Sequence, residues 1–137
     1  MQDSKVLKSV LLVAGLVAVG IGGAILFAPA AFHGVNGIEL GGDSNLLSEM
    51  RAPGGMLLAI GALVVLGAFV SRLAFTAAVV GALSFLSYAS SRVLGIAVDG
   101  MPAGGLVLAT VLEAVIGLAC VSVLLRYRHD GVRTGSH

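Results

Sequence analysis

The stretch VLLVAGLVAVGIGGAILFA, Val10 to Ala28, decides the class of fold. It holds no charge over about nineteen residues, and at 1.5 Å of rise per residue it matches a hydrocarbon core about 30 Å thick. It reads as a membrane-spanning helix. Lys5 and Lys8 precede it, as basic residues also precede a cleaved secretory signal. The apolar region of such a signal runs only about 7–15 residues, so the helix is expected to stay in the mature protein. Pro29, within Ala28-Pro29-Ala30, reads as the helix stop and not as part of a cleavage site.

The whole chain agrees with this stretch. Of its 137 residues 58% are hydrophobic and 11% charged, and the mean hydropathy is +1.06. An ordinary soluble domain has about 45–50% apolar and about 25% charged residues. This composition excludes a disordered chain, a collagen repeat and a disulfide scaffold. The net charge of +1 comes without a basic stripe, so nucleic acid is not an expected partner. The expected partner is the lipid bilayer.

Three further apolar runs follow. The second, Ala52 to Val70, opens on Pro53, a residue favoured in the first turn of a helix. The third, Leu73 to Val98, is reached through a tight Ser71-Arg72 turn. The fourth, Leu106 to Leu125, leads into Arg126, Tyr127 and Arg128, an interfacial aromatic with basic anchors. These runs predict an all-α, integral membrane four-helix bundle with helices at about 8–28, 50–70, 73–98 and 105–126. One domain is expected over 1–137, with an interfacial outer segment at 29–48 and a short basic cytoplasmic tail at 127–137. In the outer segment Gly34, Gly37, Gly41 and Gly42 alternate with Phe32, Val35, Ile38 and Leu40.

Lysine and arginine near span ends set orientation. With four spans, Lys5, Lys8, Arg72, Arg126, Arg128 and Arg133 fall on one side, and only Arg51 and Arg92 on the other. Both termini are therefore expected on the cytoplasmic side of the membrane. The outer side carries Glu39, Asp43, Glu49 and Asp99. So one-sided a distribution argues against dual insertion.

The charges within the spans are the candidate site. Glu113 lies about seven residues into the fourth run, roughly 10 Å below its outer boundary. A charge at helix centre costs about 2.5–3.5 kcal/mol on insertion scales, so a partner is expected. Arg92, about six residues before the third run ends, falls at similar depth because the two helices run in opposite directions. Glu49 and Arg51 open the second helix on the same outer side. These four residues are expected to converge in the outer half of the bundle. Ser84, Ser87, Tyr88, Ser91, Arg92 and Gly95 follow one helical stripe, expected to face inward. Ser84, Tyr88 and Ser91 thus join the candidate cluster, either as packing and interhelical hydrogen-bonding groups or as ligand contacts. The charges likewise have two readings: a structural ion-pair network, or a site for a ligand, proton or ion.

Small residues recur beside these groups. Ala109, Glu113 and Gly117 are spaced by four on the fourth helix, and Ala14, Ala18 and Gly22 on the first. Such ladders let helix backbones approach closely. The first serves an internal contact or a homo-oligomer, and periodicity alone does not choose. Recognisable catalytic chemistry is absent from the pattern. Cys120 is the sole cysteine, so no thiol pair exists for exchange. His33, His129 and His137 lack ligand spacing. Gly20, Gly22 and Gly23 sit inside an apolar span and not between a strand and a helix. No catalytic residue, cofactor or metal is expected.

The succession Gly22-Gly23-Ala24-Ile25-Leu26-Phe27-Ala28-Pro29, then Glu49-Met50-Arg51-Ala52-Pro53-Gly54-Gly55, then Arg92, Asp99-Gly100-Met101-Pro102 and Glu113 resembles the DUF4345 family. That is a group of small bacterial membrane proteins, broadly DoxX-like. The resemblance covers nearly the whole chain, and the element opening the second helix is its most specific part. It implies four helices and no assigned activity. Relatives under the DoxX name are linked to quinone and sulfur redox chemistry, yet the cysteine pair or cofactor motif that would carry such a role is missing here.

The expected function is a non-enzymatic membrane protein that binds a partner or a small amphipathic or lipid-like ligand at Glu49, Arg51, Arg92 and Glu113. Guanidinium groups match carboxylate or phosphate bidentately. Gly54 and Gly55 would let the ligand or another helix come close. One alternative is a small proton-coupled transporter or transporter subunit working through Glu113. Small multidrug transporters, however, carry their acid in the first helix and without an arginine partner. The other alternative is a quinone-linked, DoxX-like redox subunit.

Overall fold

A computed structural model describes the backbone of residues 2–134 and the side chains of residues 5–126. The described residues form α1 (Gln2–Phe27), a short α2 (Pro29–Gly34), α3 (Ser44–Phe69), a 3-10 turn (Ser71–Leu73), α4 (Ala74–Asp99) and α5 (Gly104–Thr134). Four of these, α1, α3, α4 and α5, are long and apolar enough to cross a membrane.

The ends follow from local chemistry. Ala28 leaves the helical region, at φ −138° and ψ 59°, because the ring of Pro29 crowds the residue before it. Pro29 then starts α2, where its missing N–H costs nothing. The Asp43 side chain caps α3 by accepting from Asn45 N at 3.0 Å. At the far end of α4, Gly100 adopts φ 97° and donates its N–H to Ile96 O, a left-handed close suited to glycine.

The helix bounds differ from the expected ones in detail. The second spanning helix begins at Ser44, six residues before the expected start near residue 50. Pro53 consequently stands inside the helix and not in its first turn. Having no N–H, it leaves the Glu49 carbonyl without its usual donor. That gap is tolerable because both residues are exposed. The helical backbone also continues into the expected tail, as far as Thr134. The side chains of Tyr127, Arg128, His129 and Arg133, and all of His137, lie outside the described residues.

The contacts between helices give the topology. Gly15 meets Gly61 and Val65, while Gly22 meets Gly54 and Leu58, so α1 and α3 are antiparallel. Gly67 meets Ala77, and Gly81 meets Cys120, which makes α3–α4 and α4–α5 antiparallel too. The result is an up-down-up-down arrangement in which α1 packs chiefly on α3 and α4 on α5. Lys5, Lys8, Arg72 and Arg126 thereby share one end. At that end the Lys8 ammonium stands 4.8 Å from the centroid of the Phe69 ring, tying α1 to α3.

The core consists mostly of small residues. Leu11, Ala14, Ala18, Val64, Ala77 and Cys120 are among its most buried members. Larger side chains such as Leu16, Leu66, Leu83, Leu112 and Leu118 point outward. In water that distribution would be costly. In a bilayer, where lipid tails solvate leucine as well as a core does, close backbone approach and dispersion hold the helices together. The Ala14, Ala18 and Gly22 ladder serves this internal packing, since all three are buried and Gly22 lies against α3.

Candidate functional site

The chain places its one described ion pair between α4 and α5. Arg92 Nε donates to Glu113 Oε2 at 3.0 Å and to Oε1 at 3.2 Å. The side chains are 33% and 14% exposed respectively. The pair is therefore shielded from the acid's side and open from the base's side. The antiparallel register brings it about, because Gly117 of α5 lies against Leu86 of α4. Four residues back along α5 from Gly117 stands Glu113, and six residues on along α4 from Leu86 stands Arg92, so the opposed helices bring the two to similar depth and the long arginine side chain closes the gap. Gly117 lets the helices close up, and the pair satisfies the charge that this closeness buries.

Only Nε of Arg92 is engaged in a hydrogen bond among the described residues. Arg92 also lines a cavity of about 210 Å³ where α4 ends and α5 begins. Gly95, Ile96, Asp99 and Gly100 form its α4 side, with Pro102, Leu106 and Thr110 opposite. Thr110 is buried and donates its hydroxyl to Leu106 O at 2.9 Å, which leaves its oxygen lone pairs free to accept. The site thus holds a cation with spare donors, a neutralising acid behind it and one acid, Asp99, at the rim.

Arg51 occupies a different place. Its Nη1 donates to Leu26 O at 2.6 Å, so it caps the last turn of α1 across the α1–α3 seam. It lines a separate, open groove of about 520 Å³ with Leu26, Ser44, Leu47, Ser48, Ala52 and Gly55. That groove shares no lining residue with the Arg92 cavity. Glu49 is exposed and has no ion-pair partner among the described residues. The four charges therefore lie toward one end of the bundle without converging: Arg51 is at the α1–α3 seam, Arg92 and Glu113 are at the α4–α5 seam, and Glu49 is at neither.

The polar stripe of α4 is turned partly away from the core. The buried line of that helix is Ala78, Gly81, Ala82, Phe85 and Ala89. Ser84 and Tyr88 run along its edge half-buried, with Tyr88 packed against the core, while Ser87 and Ser91 are exposed. The expected inward polar face is thus an inward alanine and glycine face, because small side chains are what allow α3 and α5 to reach α4. Thr110 and Asp99 were missed by sequence reasoning. The signal was present: Arg92, Gly95 and Asp99 fall at i, i+3 and i+7, and Thr110 stands three residues before Glu113.

Among the described residues no group of histidine, cysteine and carboxylate side chains is placed to hold a metal ion. Cys120 is a buried free thiol that fills space beside Gly81. The His33 ring stands edge-on to Phe32, and its Nε2 is buried without a hydrogen-bond partner.

Four long apolar antiparallel helices with an intramembrane ion pair define an integral membrane protein of the helical-bundle class. The family model described as a domain of unknown function (DUF4345) matches residues 6–124. The chain belongs to that family. No curated protein and no solved structure matches it.

Proposed function

We propose that the protein is a non-enzymatic binding protein of the bacterial inner membrane, taking a small amphipathic molecule with an acidic group into the Arg92 cavity. The observation that carries this reading is the half-buried arginine with unengaged donors at the wall of a cavity between two spans. A guanidinium so placed receives a carboxylate or phosphate through its remaining N–H groups while Glu113 holds Nε. Ile96, Pro102 and Leu106 supply an apolar wall for the rest of the molecule. The basic residues at the opposite end support an orientation with both termini in the cytoplasm and the cavity outside. The engagement of Glu113 by Arg92 weighs against proton-coupled transport, which needs an acid free to exchange its proton. A DoxX-like redox role gains no support from an isolated thiol.

Native mass spectrometry of the protein, extracted in mild detergent, tests the reading. Wild type is expected to carry a noncovalent adduct containing an acidic group, lost in Arg92→Gln and retained in Arg51→Gln. Survival of that same adduct in Arg92→Gln, once bilayer phospholipid is set apart by its mass, or its absence from a folded wild type, removes this function and leaves the pair a purely structural role.

A further inference from the structure

The groove on the other seam carries a second assignment, independent of the first. It is lined by Leu26 at the end of α1 and by Ser44, Leu47, Ser48, Arg51, Ala52 and Gly55 of α3. Along α3, Ser44, Ser48, Arg51 and Gly55 follow i, i+4, i+7 and i+11, so three polar groups stand above a glycine on one helical stripe. The polar members belong to the first two turns of α3, at the boundary of the span, and Ala52 and Gly55 lie deeper. Arg51 is fixed in place by its bond to Leu26 O, and that bond uses only Nη1. Nε and Nη2 are without partners among the described residues.

We infer that this groove is a binding site for one glycerophospholipid of the surrounding bilayer, its phosphodiester held by Arg51 with Ser44 and Ser48 and an acyl chain lying over Ala52 and Gly55. The order of the lining matches the order of the lipid. A guanidinium and two hydroxyls supply hydrogen-bond donors at headgroup level, and a glycine supplies a shallow floor where a chain would lie. The volume of about 520 Å³ lies within the range of ligand sites, about 300–1,000 Å³. A free anion would use the three polar groups and leave Leu26, Leu47 and Gly55 without a role.

The two acids nearby do not compete for the arginine. Asp43 accepts from Asn45 N at the cap of α3. Glu49, two residues from Arg51, projects from the opposite side of the helix. The Nη1 bond also stabilises the phosphate indirectly: it covers the carbonyl end of α1, whose partial negative charge would otherwise repel an anion.

The test is a titration followed by native mass spectrometry on delipidated full-length protein. The probes are phosphatidylglycerol, phosphatidylethanolamine, a diacylglycerol of the same chains and inorganic phosphate. Wild type should retain one phospholipid in preference to diacylglycerol, and should retain no inorganic phosphate. Arg51→Gln should weaken phospholipid retention about tenfold, the loss of one charge-assisted contact, and leave diacylglycerol unchanged. Ser44→Ala with Ser48→Ala, which spares the Arg51–Leu26 bond, should weaken it about threefold in a protein of unaltered melting temperature. Arg92→Gln should leave it unchanged, so failure here is separable from failure of the Arg92 site. Equal retention of phospholipid and diacylglycerol, or of wild type and Arg51→Gln, would overturn the assignment. So would Arg51-dependent retention of inorganic phosphate.

Discussion

The seam between α1 and α3 and the seam between α4 and α5 solve the same problem with different chemistry. In the first, backbone meets backbone. A Cβ added at Gly54 would lie 2.7 Å from Leu26 N, and one at Gly61 would lie 2.6 Å from Val19 N, far inside the optimal separation of about 3.5 Å. In the second, side chains do the meeting: Gly81 faces the Cys120 thiol, Gly117 faces the Leu86 side chain, and Arg92 grips Glu113. A backbone seam has no freedom to adjust, whereas a side-chain seam can repack and leave a cavity. The difference shows in what each seam leaves: a cavity walled by the half-buried Arg92 on the adaptable seam, and on the rigid one only an open groove at its end, beyond the backbone contacts.

Matched substitutions test that contrast, beginning with the largest expected effect. Gly61→Leu should destabilise the bundle by about 3 kcal/mol or more, since the Val19 backbone has nowhere to go. Gly117→Ala should stay within about 1 kcal/mol, because Leu86 can change rotamer and alanine favours the helix. Thermal melting in detergent reads both, and equal losses would end the distinction between the seams.

The ion pair comes next. Glu113→Leu alone should cost about 2 kcal/mol by leaving a half-buried Arg92 without its acid; the value is set below that of a fully buried pair because Arg92 is partly open to solvent. Combining it with Arg92→Leu should restore most of the loss. A double variant no more stable than the single one would show that packing around Glu113, and not charge, holds the seam.

Smaller effects follow at the ends. Arg51→Ala should lower stability by about 1 kcal/mol through the freed Leu26 carbonyl, with Arg51→Lys intermediate. Lys8→Ala should cost only about 0.5 kcal/mol, as an exposed cation–π contact does. If Lys8→Ala proved the more damaging of the two, the end where α1 begins, and not the end where it stops, would anchor α1 to α3.

Much of this arrangement could be read before any coordinates. Four spans followed from four apolar runs, because the thickness of a bilayer imposes a length that no soluble helix must meet. The similar depths of Arg92 and Glu113 followed from counting residues inward along opposed helices, and the structure puts those two side chains in contact. The start of α3 was misjudged because Pro53 resembled a first-turn residue. Asp43 and Asn45, an N-cap and its donor ten and eight residues earlier, were the better signal. Residues 44–48 read as part of the interfacial segment because a helix there has no continuous apolar run to announce it.

The candidate site was legible in depth but not in azimuth. Glu49, Arg51, Arg92 and Glu113 were grouped because each lies near the outer boundary. Yet Arg51 turns to the α1 carbonyl end and Arg92 to α5. Depth along a membrane normal is a sum of rises, which sequence supplies residue by residue. Rotation about each helix axis depends on which faces of its neighbours admit it, and here glycine contacts contributed by two helices at once decide that. Composition and periodicity alone thus determined a four-helix membrane protein and the level of its charges. Only tertiary packing decided that Arg92 pairs with Glu113 while Arg51 turns to the end of α1, because an ion pair and a helix cap each need a partner whose direction no single segment contains.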